Sequence, residues 1–304
     1  MNVIRLGGYQ GEDSILTAGL ALLASQLRSQ HPQWIINLEQ DVTARGETAR
    51  SLFSSIDCGV RHMGYMASGY LVAQVPELAL LDMPFAIQDR QAALEALDGS
   101  VGQWLTQCIE RRTGYKLLGF WDNGFRHLSN SVRPISRAAD CNGLRIRTLD
   151  SAVYRQSLAS LGFVPQSIDV KDFVQALKAG SVDAQENPLA NFTLFSVGKY
   201  HSHLSLSAHF FGVLLLVCHR DWFDALSAKQ QDDLTQAAHV ATRHQRELAA
   251  QEDGITLPAL LRQGVAVIAS SELDRASLIQ ATEAVRAEAA RSLPAAQIRA
   301  YVQH

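Results

Sequence analysis

Short apolar runs alternate with stretches of helical spacing through the first third of the chain. Residues 3–6 are strand-sized and end at Gly7 and Gly8. From Ser14 onward Ile15, Leu16, Leu20, Leu23 and Leu27 recur at the period of a helix with one buried face. Asp13 or Ser14 is placed to cap that helix, whose free amide groups then face whatever enters the neighbouring cleft. Residues 34–38 read as a second strand and 43–53 as a helix with Leu52 and Phe53 inward. A third strand over 63–66 ends at Ala67, Ser68 and Gly69. Strands alternating with helices predict an α/β protein with a mostly parallel sheet and a ligand site at the strands' carboxyl ends.

A helix running to about Arg112 precedes a strand over 115–121, and the chain is expected to cross into a second domain near Asn123 and Gly124. That second unit holds a strand ending at Arg147, a helix over 152–161, a strand over 166–170, a helix over 172–178 and a polar turn over 183–188. Strands at 204–207 and 211–218 read as returning to the first domain. The expected division is 1–123 plus 209–252 for the first domain and 124–208 plus 253–304 for the second. Residues 230–251 are polar and Ala-rich with a stripe of Leu234, Ala237, Ala238, Ala241 and Leu248, which predicts a long exposed helix. A late edge strand at 265–268 and a terminal helix at 273–293 follow. Two crossing strands beside a cleft are the makings of a hinge-closing binding protein, and with no flexible linker the two domains share one body.

With 304 residues and a net charge of -3, bulk electrostatics give no reason to expect a nucleic-acid or membrane-surface partner. The longest apolar run, 210–218, is strand-sized and short of a membrane span. The amino terminus lacks the basic segment and apolar stretch of a secretory leader; since residues 3–6 already read as the first strand, the expectation is that a leader has been removed. Cys58, Cys108, Cys141 and Cys218 have no paired-ligand spacing for zinc and leave disulfides and buried thiols both open. His201 and His203 lack a carboxylate or cysteine at matching distance and read as a polar loop, so no metal is expected. Gly7, Gly8 and Gly11 lack dinucleotide-loop spacing, and no phosphate loop, nucleophile elbow or metalloprotease motif occurs, so no cofactor is expected either.

The chemistry concentrates in two arginines. Alternation in Leu144-Arg145-Ile146-Arg147 sets the apolar pair on one strand face and both arginines on the other. Arg126 lies at the end of another apolar run. A strand-end arginine beside a crevice suits an anion held by two parallel hydrogen bonds, although spacing alone favours surface arginines solvating strand ends.

The words around these residues carry a resemblance. Residues 123–135 (Asn-Gly-Phe-Arg-His-Leu-Ser-Asn-Ser-Val-Arg-Pro-Ile), 142–147 (Asn-Gly-Leu-Arg-Ile-Arg) and 180–188 (Gly-Ser-Val-Asp-Ala-Gln-Glu-Asn-Pro) resemble, in order and separation, the solute-binding proteins of TRAP (tripartite ATP-independent periplasmic) transporters. Residues 75–85, 97–102 and 221–227 extend the likeness over nearly the whole chain. The resemblance implies a two-domain periplasmic-binding-protein fold with the long helix spanning both domains. It implies a periplasmic receptor, not an enzyme, that holds a small organic acid and delivers it to TRAP membrane subunits, generally as a monomer. Arg147 matches the family's carboxylate-binding arginine, Arg126 a second contact and Asn187 an amide donor. Ser68 and the loop at 8–12 match segments that reach into the cleft, and Phe211 with Gly212 falls at the pocket floor. Val170 stands where many relatives carry an aromatic lid, which implies a wider pocket. Two alternatives stay open: an enzyme using Asp183, Glu186 or His127 as proton carrier, and a cytoplasmic sensor of the same fold.

Overall fold

A computed structural model describes residues 2–302. The elements are β1 (Asn2–Gly7), α1 (Ile15–Gln30), β2 (Trp34–Glu39), α2 (Ala49–Asp57), β3 (Met63–Ala67), α3 (Arg90–Asp98), α4 (Ser100–Arg112) and β4 (Tyr115–Asn130). There follow β5 (Arg145–Thr148), α5 (Ala152–Ser160), β6 (Val164–Ser167), α6 (Val170–Lys178), β7 (Ala184–Pro188), α7 (Leu189–Leu194) and β8 (His203–His219). The chain ends with α8 (Arg220–Asp224), α9 (Ala228–Arg262), β9 (Ala266–Ile268), α10 (Arg275–Ala281), α11 (Glu283–Ser292) and α12 (Ala295–Val302).

One sheet runs through the molecule in the order β2-β1-β3-β8-β4-β7-β5-β6, with β9 added on β8. Pairing is parallel among β1, β2 and β3 and among β5, β6 and β7, the βαβ arrangement that the alternating pattern predicts. Between these lobes β4 and β8 pair antiparallel, and each belongs to both lobes along its length: β4 meets β7 over Arg126–Asn130, while β8 meets β3 over Leu214–Cys218.

The crossing strands are longer than the apolar runs that mark them. Alternation predicts two return strands; the structure has one, β8, bent at Ala208, whose φ of 46° is left-handed. β4 breaks register between Asp122 and Gly124 and again between Arg126 and Leu128, and such bulges bend the strand where the chain changes lobe. At the first bulge Gln245 of α9 replaces a strand partner: it accepts from the Asp122 backbone N–H at 2.9 Å and donates to the Asp122 carbonyl at 2.7 Å. A buried bulge would otherwise leave both groups unsatisfied.

Helix α9 has 35 residues, more than the stripe over 230–251 predicts, and continues through Pro258. Leu234, Ala237, Ala238 and Ala241 sit in the core of the first lobe, and Leu260 in that of the second, beside Phe173, Phe192 and Leu204. The helix braces both lobes.

Several expectations are corrected. The helix expected over 43–53 is a short turn of helix at Val42–Arg45 followed by α2, because Thr48 and Ser51 form a capping box that starts a new helix. The segment 183–188, expected as a turn, is strand β7 from Ala184, buried at every position. The single terminal helix expected over 273–293 is divided into α10 and α11, with α12 beyond them. Ala289, Leu293 and Tyr301 of this tail pack into the first lobe's core, while Leu278 packs beside Ile146 and Leu158 in the second. All four cysteines are free thiols, three of them buried. Among the described residues no helix is long and apolar enough to cross a membrane.

Candidate functional site

The site lies between the lobes, where β4, β5 and β7 approach the loops after β1 and β3. A cavity of about 30 Å³ is bordered by Tyr9, Gln10, Ala67 and Tyr70 from the first lobe and by Arg147, Leu149, Val170, Asn187, Asn191 and Phe195 from the second, with Asn123 and Arg126 on the crossing strand. An outer cavity of about 340 Å³ shares Gln10, Asn123 and Asn191 with it and opens past Asp13, Ser14 and Glu252. A larger groove of about 620 Å³ lies between α4, β4 and α9, but its Arg246 is paired with Asp98 and it gathers residues of the first lobe and the long helix alone. Volume is therefore a poorer guide here than unmet charge.

Arg147 supplies that unmet charge. Alternation along β5 sends Ile146 into the core and Arg147 to the opposite face, where it is 3% exposed. Its Nε donates to the Ile168 carbonyl at 2.9 Å and its guanidinium lies over the Phe173 ring at 4.8 Å. Among the described residues neither terminal nitrogen donates to any group and no carboxylate comes within ion-pair distance. Burial lowers the pKa of Arg147 from its ordinary value, with Tyr70 and Glu186 acting against that shift. A guanidinium keeps its proton even so, and a buried, unpaired one is an anion site in waiting.

Arg126, 2% exposed, is bound differently. Its Nε donates to the Glu186 carboxylate and its Nη2 to Glu186 Oε1 at 3.0 Å, to the Glu186 carbonyl at 2.8 Å and to Asn187 Oδ1 at 3.1 Å. Thr148 Oγ1 donates to Glu186 Oε1 at 2.8 Å. Burial alone would lower the Arg126 pKa, but the Glu186 carboxylate outweighs it and holds it above the ordinary value. This satisfied network is why the polar segment after Asp183 folds as a buried strand.

Asn187 joins an amide chain. It donates to Gln185 Oε1 at 2.6 Å and accepts from Asn191 at 2.9 Å, and Asn191 accepts from Gln10 at 3.2 Å across the cleft. Gln10 accepts in turn from Ser14, the residue that caps α1. With Tyr70 packed on Leu149, Tyr154 and Phe210, these contacts hold the lobes together around the cavity.

Of the five residues singled out from the sequence, Arg147, Arg126 and Asn187 border the cavity, and Ser68 and Phe211 do not. Ser68 Oγ turns inward to donate to Asp82 Oδ1 at 3.1 Å, and burial pushes the Asp82 carboxyl up to about 7 against that hydrogen bond. Phe211 packs in the first lobe's core against Phe125. Tyr65 is a core residue whose hydroxyl accepts from the Tyr9 N–H at 3.3 Å. Val170 does border the cavity, but no wide pocket results: the space is about 30 Å³, and Phe195 and Tyr70 line it as well. Of the proton carriers considered for an enzyme, Asp183 pairs with Arg145, Glu186 with Arg126, and burial drives His127 down to about 3. Tyr70, Asn123, Asn191 and Phe195 escape sequence reasoning: they stand outside any apolar period, and the signal available was proximity to Tyr65, Arg126 and Asn187.

The family model described as "Bacterial extracellular solute-binding protein, family 7" matches residues 45–292. The chain belongs to that family. A solute-binding protein of Verminephrobacter eiseniae is 30% identical over 239 residues, covering 79% of this chain and 70% of its own. The 2,3-diketo-L-gulonate-binding periplasmic protein YiaO of Escherichia coli is 33% identical over 230 residues, covering 75% and 68%. The TRAP periplasmic solute-binding protein of Polaromonas sp. JS666, solved bound to D-erythronate, superposes with a TM-score of 0.93 at 26% identity, over 99% of this chain and 98% of its own. Family 7 proteins are transport receptors and not enzymes, and the two-domain fold with a central cleft is theirs.

Proposed function

We propose that this family 7 protein is a periplasmic receptor that binds a small organic acid by pairing its carboxylate with the free guanidinium edge of Arg147, and hands it to TRAP membrane subunits as a monomer. The observation that carries the reading is the buried cation of Arg147 with two undirected nitrogens at an interlobe cavity. The E. coli and Polaromonas relatives, described with sugar-derived acids, agree with that chemistry. The two domains are taken to meet near Asn123 and Ala208, where β4 and β8 bend.

Ligand contacts come from both lobes only when the cleft is shut, so the acid binds the closed form better and shifts the population toward it. A coupling of about 3 kcal/mol changes the open-to-closed ratio roughly 150-fold, enough for the membrane subunits to read closure as occupancy. The test is a thermal-shift panel of organic acids with mass analysis of each acid after incubation. A stabilising acid recovered unchanged supports a receptor; conversion of the acid overturns it in favour of an enzyme.

A further inference from the structure

The charge of Arg147 comes from the second lobe, and a receptor that closes on its ligand needs an answering group from the first. The first-lobe residues at the inner cavity are Tyr9, Gln10, Ala67 and Tyr70. Gln10 is engaged with Asn191 and Ser14, Ala67 has no polar side chain, and the Tyr9 hydroxyl lies by the Ala67 backbone. Among the described residues the Tyr70 hydroxyl has no hydrogen-bond partner.

The turn that carries Tyr70 is firmly placed. β3 ends in a tight turn at Ser68–Tyr70, where Ser68 is anchored on Asp82 and the Leu71 N–H donates to the Ser68 carbonyl at 3.0 Å. Between them Gly69 presses on the second lobe: a Cβ there would stand only 3.0 Å from Leu149 Cδ1 and 3.3 Å from Ser151 Cβ. The half-buried Tyr70 ring packs on Leu149, Tyr154 and Phe210, with Phe53 edge-on at 5.2 Å. These contacts fix the ring and leave its hydroxyl unused. Burial pushes the Tyr70 pKa up to about 12, and Arg147 is the strongest charge opposing that shift. The hydroxyl therefore keeps its proton at neutral pH and is a donor. The inner cavity of about 30 Å³ admits only a few atoms, so an oxygen seated in it meets groups from both lobes. Each carboxylate oxygen accepts two hydrogen bonds, so one held by Arg147 still has a lone pair for a hydroxyl.

We infer that Tyr70 is the first-lobe ligand contact: its hydroxyl donates to the carboxylate held by Arg147, so that a single ligand group ties the two lobes together. The inference rests on the reading that Arg147 receives the ligand's carboxylate. The bond exists only in the closed form, so its loss acts mainly on the rate at which ligand leaves.

Tyr70→Phe removes the hydroxyl and keeps the ring on Leu149, Tyr154 and Phe210. Pyruvate, malate, succinate, gluconate and glucuronate are titrated calorimetrically into the intact protein, Tyr70→Phe and Arg147→Met, with thermal unfolding of each ligand-free protein alongside. The expected result is that the best-bound probe loses about tenfold or more in affinity in Tyr70→Phe, chiefly through faster dissociation in stopped flow. The ligand-free unfolding temperature of Tyr70→Phe should match that of the unmodified protein, a combination that a purely structural hydroxyl would not give. Affinity that falls in Arg147→Met and not in Tyr70→Phe would overturn the Tyr70 inference and leave the carboxylate receptor standing. A Tyr70→Phe protein that is markedly destabilised without ligand, or does not fold, would also overturn it, because the hydroxyl would then serve the fold. No binding by any probe, or binding untouched by Arg147→Met, would overturn both.

Discussion

Replacing Arg147 by Met removes the guanidinium while keeping an unbranched apolar stem in its place over Phe173. Two effects then oppose each other in the ligand-free protein. The hydrogen bond to the Ile168 carbonyl is lost, worth about 1 kcal/mol. Against it, a buried charge with no ionic partner is removed, which relieves a desolvation cost of similar or larger size. Ligand-free stability should therefore stay within about 1 kcal/mol of the unmodified protein or rise. Binding behaves otherwise: a buried bidentate pair stripped of one partner costs about 3–5 kcal/mol, or roughly two to four powers of ten in Kd. Calorimetric titration with the best acid, beside chemical unfolding of both ligand-free proteins, separates the two effects. Arg147→Lys should recover little of the affinity, because an ammonium lacks the planar fork. Unchanged affinity in Arg147→Met, or ligand-free stability falling by several kcal/mol, would refute the view of Arg147 as an unpaired cation kept for the ligand.

Further predictions concern the frame. Gln245→Ala leaves the Asp122 N–H and carbonyl without partners at the β4 bulge and should cost about 2–4 kcal/mol in urea unfolding. Gln10→Ala removes the amide bond to Asn191 across the cleft and should weaken ligand binding about fivefold, chiefly through faster dissociation in stopped flow. For Asp82 the folded pKa of about 7 lies above the unfolded value near 3.9, so the folded state binds the extra proton and this group's stability contribution is lost as pH rises from about 4 to 7. Asp82→Asn should abolish that slope in unfolding titrations. His127 and His201 have folded values depressed to about 3 and about 4, so their contribution is present above pH 6.5 and lost as pH falls toward 4. Replacing either with Gln should reduce the loss of stability in acid.

How much of this was legible in the sequence depends on what kind of signal each residue leaves. Arg147 is legible because strand alternation and a strong motif agree on it, and the helix from Ile15 because its apolar period is regular. β7 is not, since Gln185, Glu186 and Asn187 look like a solvated turn until Arg126, Thr148 and Ser129 are known to meet them. The ion pair that silences Arg126 spans residues 126 and 186, and no local pattern records it. Phe211 packs in the first lobe's core, and Phe210, two residues after the left-handed Ala208 of β8, packs with Leu149 and Tyr154 beside the cleft, a bend no apolar run records. Asn191 and Phe195 lie on and just after a six-residue helix, too short to leave a period.

The most direct test of the central claim is a crystal structure with the tightest-binding acid in the cleft. Both carboxylate oxygens are expected within hydrogen-bond distance of Nη1 and Nη2 of Arg147, with Arg126 still on Glu186. A carboxylate seated on Arg126 with Glu186 displaced, or an acid bound in the groove between α4 and α9, would contradict it.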